Sequence, residues 1–199
     1  MTYQTNQNLI PPHGGYRKLM SYQAAEVIYD FTEEFCRRYM SYRANETYTR
    51  TYDQMVQAAR SGKQNIAEGS MDSGISKKIE LKLVGIARAS LEELLLDYED
   101  FLRQRGLRQW DKDSSEAREV RRLAYKSDRS YETYKTYMSN PEIAANCAIC
   151  IINQANFLLD RQLKSLEKDF LEQGGFTERL YWERRKYRTN KTHKTNKTR

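Results

Sequence analysis

Cys147 and Cys150 form a Cys-x-x-Cys, the spacing that holds zinc or cycles between dithiol and disulfide. Either chemistry needs company. The third cysteine is Cys36, there is no second pair, and His13 and His193 are the only histidines. The pair also sits in the most apolar run of the chain, Ile143 to Ile152, so it reads as two small buried side chains. Acidic pairs such as Glu92–Glu93 have ordinary helix-surface spacing, and no phosphate-cradling glycine loop is present. A catalytic centre needs convergent groups, such as a nucleophile with its base or a metal cluster. The sequence is therefore read as non-enzymatic, with no catalytic residue, no metal and no cofactor. Three cysteines in a pattern without pairing suit a reducing compartment, and the expected location is the cytoplasm.

The chemistry that remains is that of cations. Arg60, Lys63, Lys77, Lys78 and Lys82 fall on two predicted helices, and Arg121, Arg122, Lys126 and Arg129 follow with tyrosines close by. Arg184, Arg185, Lys186, Arg188, Lys191 and Lys194 crowd the last stretch. The net charge is +7, and residues 183–199 hold eight Lys or Arg against one acid, so the preceding 182 residues balance 26 bases with 26 acids. Acids such as Glu80 and Asp128 offset the body's cations, which read in part as a solvated surface. An unbalanced cationic segment binds phosphate polymers by releasing their counterions, with steep salt dependence and no required sequence. Nucleic acid is the expected partner, with the eleven candidates Arg60 to Lys82 and Arg184 to Lys194 as its contacts.

These residues must be positioned by helices. Nine glycines and three prolines in 199 residues, with 31% charged residues, favour long helices over a turn-rich β fold. Residues 1–15 end in "PPHGG" and read as a flexible leader. Ala24, Val27, Phe31, Phe35 and Tyr39 step by three and four, which predicts a first helix from Leu19 to about Tyr42. A second helix starts near Asn45 and carries Tyr52, Met55, Ala59, Gly62, Ile66 and Gly69 on one stripe. An interior glycine costs about 1 kcal/mol against alanine, so "RSGKQNIAEGS" implies that a second backbone comes close, with a turn at Gly69. The third helix, Ser76 to Arg105, has the strictest stripe, from Val84 through Ala87, Leu91, Leu94 and Tyr98 to Phe101. Its apolar face is wider than one antiparallel neighbour requires, which favours an oligomer.

Residues 107–140 read as an inserted helical arm, with Tyr131, Tyr134 and Tyr137 at every third position. Pro141 opens the last long helix, Gly174 and Gly175 end it, and a short helix follows before a basic, disordered tail at 183–199. No apolar run reaches bilayer-crossing length, and no membrane contact is expected.

Two blocks, "NIAEG" at Asn65 to Gly69 and "IARASLEEL" at Ile86 to Leu94, resemble a family of bacterial four-helix-bundle proteins. The family includes proteins encoded in intervening sequences of large-subunit ribosomal RNA genes and the accessory variability determinant of diversity-generating retroelements. The start, "GGYRKLMSYQAAEVIYDFTEEFCRRYM", with the long last helix is similar to the four helix bundle suffix domain subgroup. The chain departs from the pattern at Gly62 and Lys63, where similar proteins often carry an apolar residue and a proline, and in its longer arm. The resemblance implies a ring, a pentamer with a basic channel in the retroelement member, and an accessory role beside a reverse transcriptase.

Together these readings give an all-α chain: an antiparallel four-helix bundle over 16–182 with a helical insertion at about 107–140. Asn65, Glu68, Arg88 and Ser90 are expected to lock the second helix to the third, Glu68 pairing with Arg88. The expected function is a non-enzymatic homo-oligomer that binds RNA or DNA. The rival is a structural module that docks a protein partner and no nucleic acid.

Overall fold

The computed structural model describes Ile10 and residues 12–40, 46–125 and 130–195, and among these the regular structure is helical, with no strand. Four long helices dominate: α1 (Met20–Tyr39), α2 (Glu46–Asp72), α3 (Lys77–Gln104) and, after the arm, α6 (Pro141–Gln173). The arm contributes α4 (Ser115–Leu123) and the single turn α5 (Tyr131–Tyr134), and α7 (Phe176–Thr195) follows α6.

Local chemistry sets the helix ends. Ser76 caps α3, its hydroxyl accepting from the Ile79 N–H at 3.2 Å, with Glu80 in the first turn where the helix dipole favours an acid. Asn140 caps α6 by accepting from the N–H groups of Glu142 and Ile143, and Pro141 fills the first position, where no N–H is needed. Gly174, at φ 66°, stops α6 in a conformation that a side chain would strain.

α1 packs on α2 and α6, and α3 packs on the same two helices. Contacts fix their directions. Gly62 lies against Leu91 and Gly69 against Glu80 and Leu83, so α2 and α3 run antiparallel. Cys36 beside Met55 and Tyr29 beside Lys63 reverse α1 against α2, and Arg88 with Asp160 and Glu92 with Asn156 reverse α3 against α6. The shared interior holds Phe31, Phe35, Met55, Ile66, Leu91, Leu94, Ile152 and Leu159, all buried. Phe35 sets its edge to the rings of Tyr98 and Phe101, at centroid distances of 4.9 and 4.8 Å. Tyr98 is buried on every side, and its hydroxyl donates to Thr32 Oγ1 at 3.1 Å.

Several boundaries differ from the sequence expectation. α2 does not turn at Gly69; it continues to Asp72, and the reversal lies at Ser73 to Ile75. Gly69 serves packing, since a Cβ there would stand 3.4 Å from the Glu80 carbonyl oxygen and 3.3 Å from Leu83 Cβ. The tyrosines at every third position of the arm belong to α5 and the 3-10 turn Lys135–Ser139, whose period is three residues. Residues 183–195, read as a disordered tail, continue α7 as helix. In the leader, the Gly14 N–H donates to the Ser70 carbonyl at 2.8 Å and ties the chain to the end of α2. The stretch Pro141–Thr189 does contain an 18-residue window of mean hydropathy 1.3, apolar and long enough to cross a bilayer, but 67% of that window is buried inside the protein, as in a core helix. The expected start near Asn45, the cations Lys126 and Arg129, and the end of the tail at 196–199 lie outside the described residues.

Candidate nucleic-acid interface

The five body cations predicted as one set fall at two levels of the α2–α3 pair. Lys63 sits on α2 with its ammonium 4.1 Å from the centre of the Tyr29 ring of α1. Lys77 pairs with the buried Glu80 at 2.9 Å, which neutralises it. Lys78 and Lys82 are exposed near the start of α3, and Arg60 is exposed on α2. Gly69 marks the level of Glu80 and Leu83, and Arg60 lies nine residues back along α2 from it. At 1.5 Å per residue this separates Arg60 from Lys82 by about 14 Å along the helix axis.

α7 is the other half of the predicted interface. Every residue from Tyr181 to Thr189 is exposed, and the stretch contains Arg184, Arg185, Lys186 and Arg188. Lys186 makes a 2.8 Å surface pair with Glu183, and the Arg185 guanidinium lies 5.5 Å from the Trp182 ring centre. Lys191 and Lys194 fall on the last turns of the same helix. A helical stretch exposed on every side, as Tyr181 to Thr189 is, gains little from tertiary packing, so Arg184, Arg185, Lys186 and Arg188 are presented to solvent.

The polar link between α2 and α3 exists with different members. Asn65 Nδ2 donates to the Ser61 carbonyl at 2.9 Å and to Ser61 Oγ at 3.1 Å, and Ser61 Oγ meets Ser90 Oγ across the helix pair at 2.9 Å. Glu68 does not pair with Arg88. It faces solvent, whereas Arg88 pairs with Glu92 at 2.6 Å and Asp160 at 3.2 Å, joining α3 to α6. The sequence reading missed Ser61 and Asp160. Ser61 carried a signal, four residues before Asn65 on the same face; Asp160 lies on a helix whose register against α3 sequence spacing does not give.

Burial governs the cysteines. Cys147 is buried on α6 and its thiol is held well above the usual range by desolvation, while Cys150, half-buried, is pushed up to about 11 for the same reason. Burial also pushes Cys36 up to about 12, where its sulfur lies 3.9 Å from both Met40 Sδ and Met55 Sδ. These are protonated thiols at neutral pH, and metal binding or nucleophilic attack needs the thiolate. Among the described residues no group of three or more His, Cys, Asp or Glu side chains is placed to hold a metal ion.

An open cavity of about 960 Å³ lies between α4, α6 and the first turns of α1. Arg118, Arg121 and Arg122 line it from one face of α4, and Phe157 and Arg161 line it from α6. Arg118 and Phe157 were not among the sequence candidates, although Phe157 leaves the core stripe of its helix and Arg118 shares the i, i+3, i+4 spacing of its neighbours.

No protein-family model, no curated protein and no solved structure matches the chain. The family resemblance rests on the sequence alone, on the two blocks and, for the subgroup, on the start and the long last helix.

Proposed function

We propose that the chain is a non-enzymatic four-helix-bundle protein that assembles with copies of itself and binds nucleic acid. α1, α2, α3 and α6 are the bundle, running alternately up and down, and the residues between α3 and α6 are its arm. The observation that carries the reading is α7: the charge excess of the whole chain lies on residues 183–199, of which 183–195 are helical and 183–189 are exposed. Such a segment attracts a phosphate polymer through counterion release. Self-assembly is supported by apolar side chains left in solvent around the α2–α3 turn, where Met71, Ile75 and Ile79 are each about half exposed, with Ile86 one heptad beyond Ile79. A pentameric ring and a reverse-transcriptase partner are what the family resemblance implies.

Fluorescence anisotropy with full-length protein against labelled duplex DNA and structured RNA tests the binding, across a salt titration. The expected result is affinity for both that falls steeply with salt, with light scattering giving a mass several times 23.6 kDa. Absence of binding at low salt would overturn it, leaving the apolar surface near the α2–α3 turn as the docking face for a protein partner.

A further inference from the structure

The cavity between arm and body brings cations of two helices, α4 and α6, to one concave surface, which the single helix α7 does not. Among the described residues its lining includes five cations, Lys112, Arg118, Arg121, Arg122 and Arg161, against one acid, Glu99, which already accepts from Gln109 Nε2 at 3.0 Å. None of the four arginines makes an ion pair among the described residues. Three of them stand at i, i+3 and i+4 on α4, so they repel one another until an anion sits among them. The lining also includes apolar side chains of α6, Ile149, Leu158 and Phe157, beside the amides of Asn153 and Gln154. Phe157 is 60% exposed, and the Arg161 guanidinium lies 5.9 Å from its ring centre. The walls are fastened without any ligand. Gln154 Nε2 donates to the Arg121 carbonyl at 3.2 Å, and buried Asn146 accepts from the Trp110 N–H at 2.7 Å while donating to the Arg108 carbonyl at 2.8 Å. A site whose groups are already held in place loses less order on binding.

We infer that this cavity is a binding site for single-stranded nucleic acid, with an unpaired base stacked on Phe157 and its flanking phosphates on Arg118, Arg121, Arg122 and Arg161. This rests on the nucleic-acid function proposed above and adds its substrate class. Phosphate alone would use the arginines and leave the apolar surface wet. A duplex cannot use the ring, because its bases already stack on one another with their faces covered. An unpaired base has a free face, and aromatic rings beside cations are how single strands are held without sequence preference.

The test uses full-length protein, a labelled oligouridylate of about ten nucleotides and a duplex of the same length. Phe157→Ala removes a largely exposed ring and should leave the thermal melt in place. It should weaken single-strand binding by about tenfold, the loss of one stacked base, and leave duplex binding and the salt slope unchanged. Arg118→Gln with Arg122→Gln should weaken single-strand binding and flatten its salt dependence. If both variants bind the single strand like the unsubstituted protein, the cavity is not the site, while nucleic-acid binding through α7 stands. Equal weakening toward single strand and duplex makes the cavity a general phosphate contact and overturns the stacking. No binding of either probe by the unsubstituted protein removes the functional reading and this site together.

Discussion

Gly62→Ala and Gly85→Ala should change stability in opposite directions, because the two glycines, both inside helices, differ in what stands where a Cβ would go. In a helix interior alanine is favoured over glycine by about 1 kcal/mol. At Gly85, on half-buried α3 surface, an added Cβ meets nothing within 4 Å, so this gain should appear undiminished. At Gly62 the Cβ would lie 2.6 Å from Leu91 Cδ2 and 2.9 Å from Leu91 Cγ. Leu91 is fully buried, and a contact at Cγ cannot be relieved by turning a methyl group, so α2 and α3 must part or Leu91 must leave its rotamer. Overfilling a packed core costs about 1–3 kcal/mol. Set against the helix gain, the net effect at Gly62 is about 0–2 kcal/mol of destabilisation. For a chain of this size 1 kcal/mol moves the melting temperature by about 2–4 °C. Thermal unfolding followed by far-UV circular dichroism should raise Gly85→Ala by a few degrees and lower Gly62→Ala. If Gly62→Ala stabilises as much as Gly85→Ala, the close approach of α2 and α3 at Leu91 is refuted.

Three further predictions concern the buried polar groups and the charges. Tyr98→Phe strips the hydroxyl that donates to buried Thr32 Oγ1 and should cost about 1 kcal/mol in urea unfolding; no loss would mean that the bond contributes nothing net. A double-mutant cycle should find coupling of a few tenths of a kcal/mol between Arg88 and Asp160, a part-exposed pair, and none between Arg88 and Glu68; the reverse result would restore the pairing expected from sequence. Burial, with Asp100 and Glu93 nearby, raises the Asp97 carboxyl above its ordinary value. A raised carboxyl is penalised in the folded state only when charged, so the penalty is absent below the unfolded pKa and complete above the folded one. Asp97→Asn should therefore stabilise the protein at neutral pH and lose that advantage in acid; an advantage that persists in acid would have another origin.

Much of the helix pattern was legible because packing leaves a period. The stripe from Val84 to Phe101 located α3 to within a residue at each end, and Pro141 and Gly174 bracketed α6. Where side chains do not pack, the signal fades. α7 has no apolar stripe, so its composition read as disorder beyond Glu183 although it is helical to Thr195. The tyrosine spacing in the arm was visible, but a period of three belongs to a 3-10 turn as readily as to a helix edge. The glycines of α2 correctly implied a near backbone, yet the turn was set too early, since a glycine serves close packing and chain reversal alike. Site membership was less legible still. Glu68 and Arg88 match in charge, but which carboxylates reach Arg88 depends on how α6 registers against α3, and that emerges only when the helices pack. The cavity with Phe157 was hidden for the same reason, its walls coming from α1, α4 and α6, whose registers sequence spacing does not give.

The most direct test of the central claim is the salt slope of duplex binding with and without four exposed cations of α7. Substituting Arg184, Arg185, Lys186 and Arg188 by glutamine keeps the full chain and good helix formers while removing four positive charges. Each phosphate contact contributes about 0.9 to the slope of log affinity against log salt, so the four substitutions should flatten it by up to about three to four and weaken binding at low salt. A slope unchanged by the loss of these four charges, in a protein that still binds, would contradict α7 as the nucleic-acid contact.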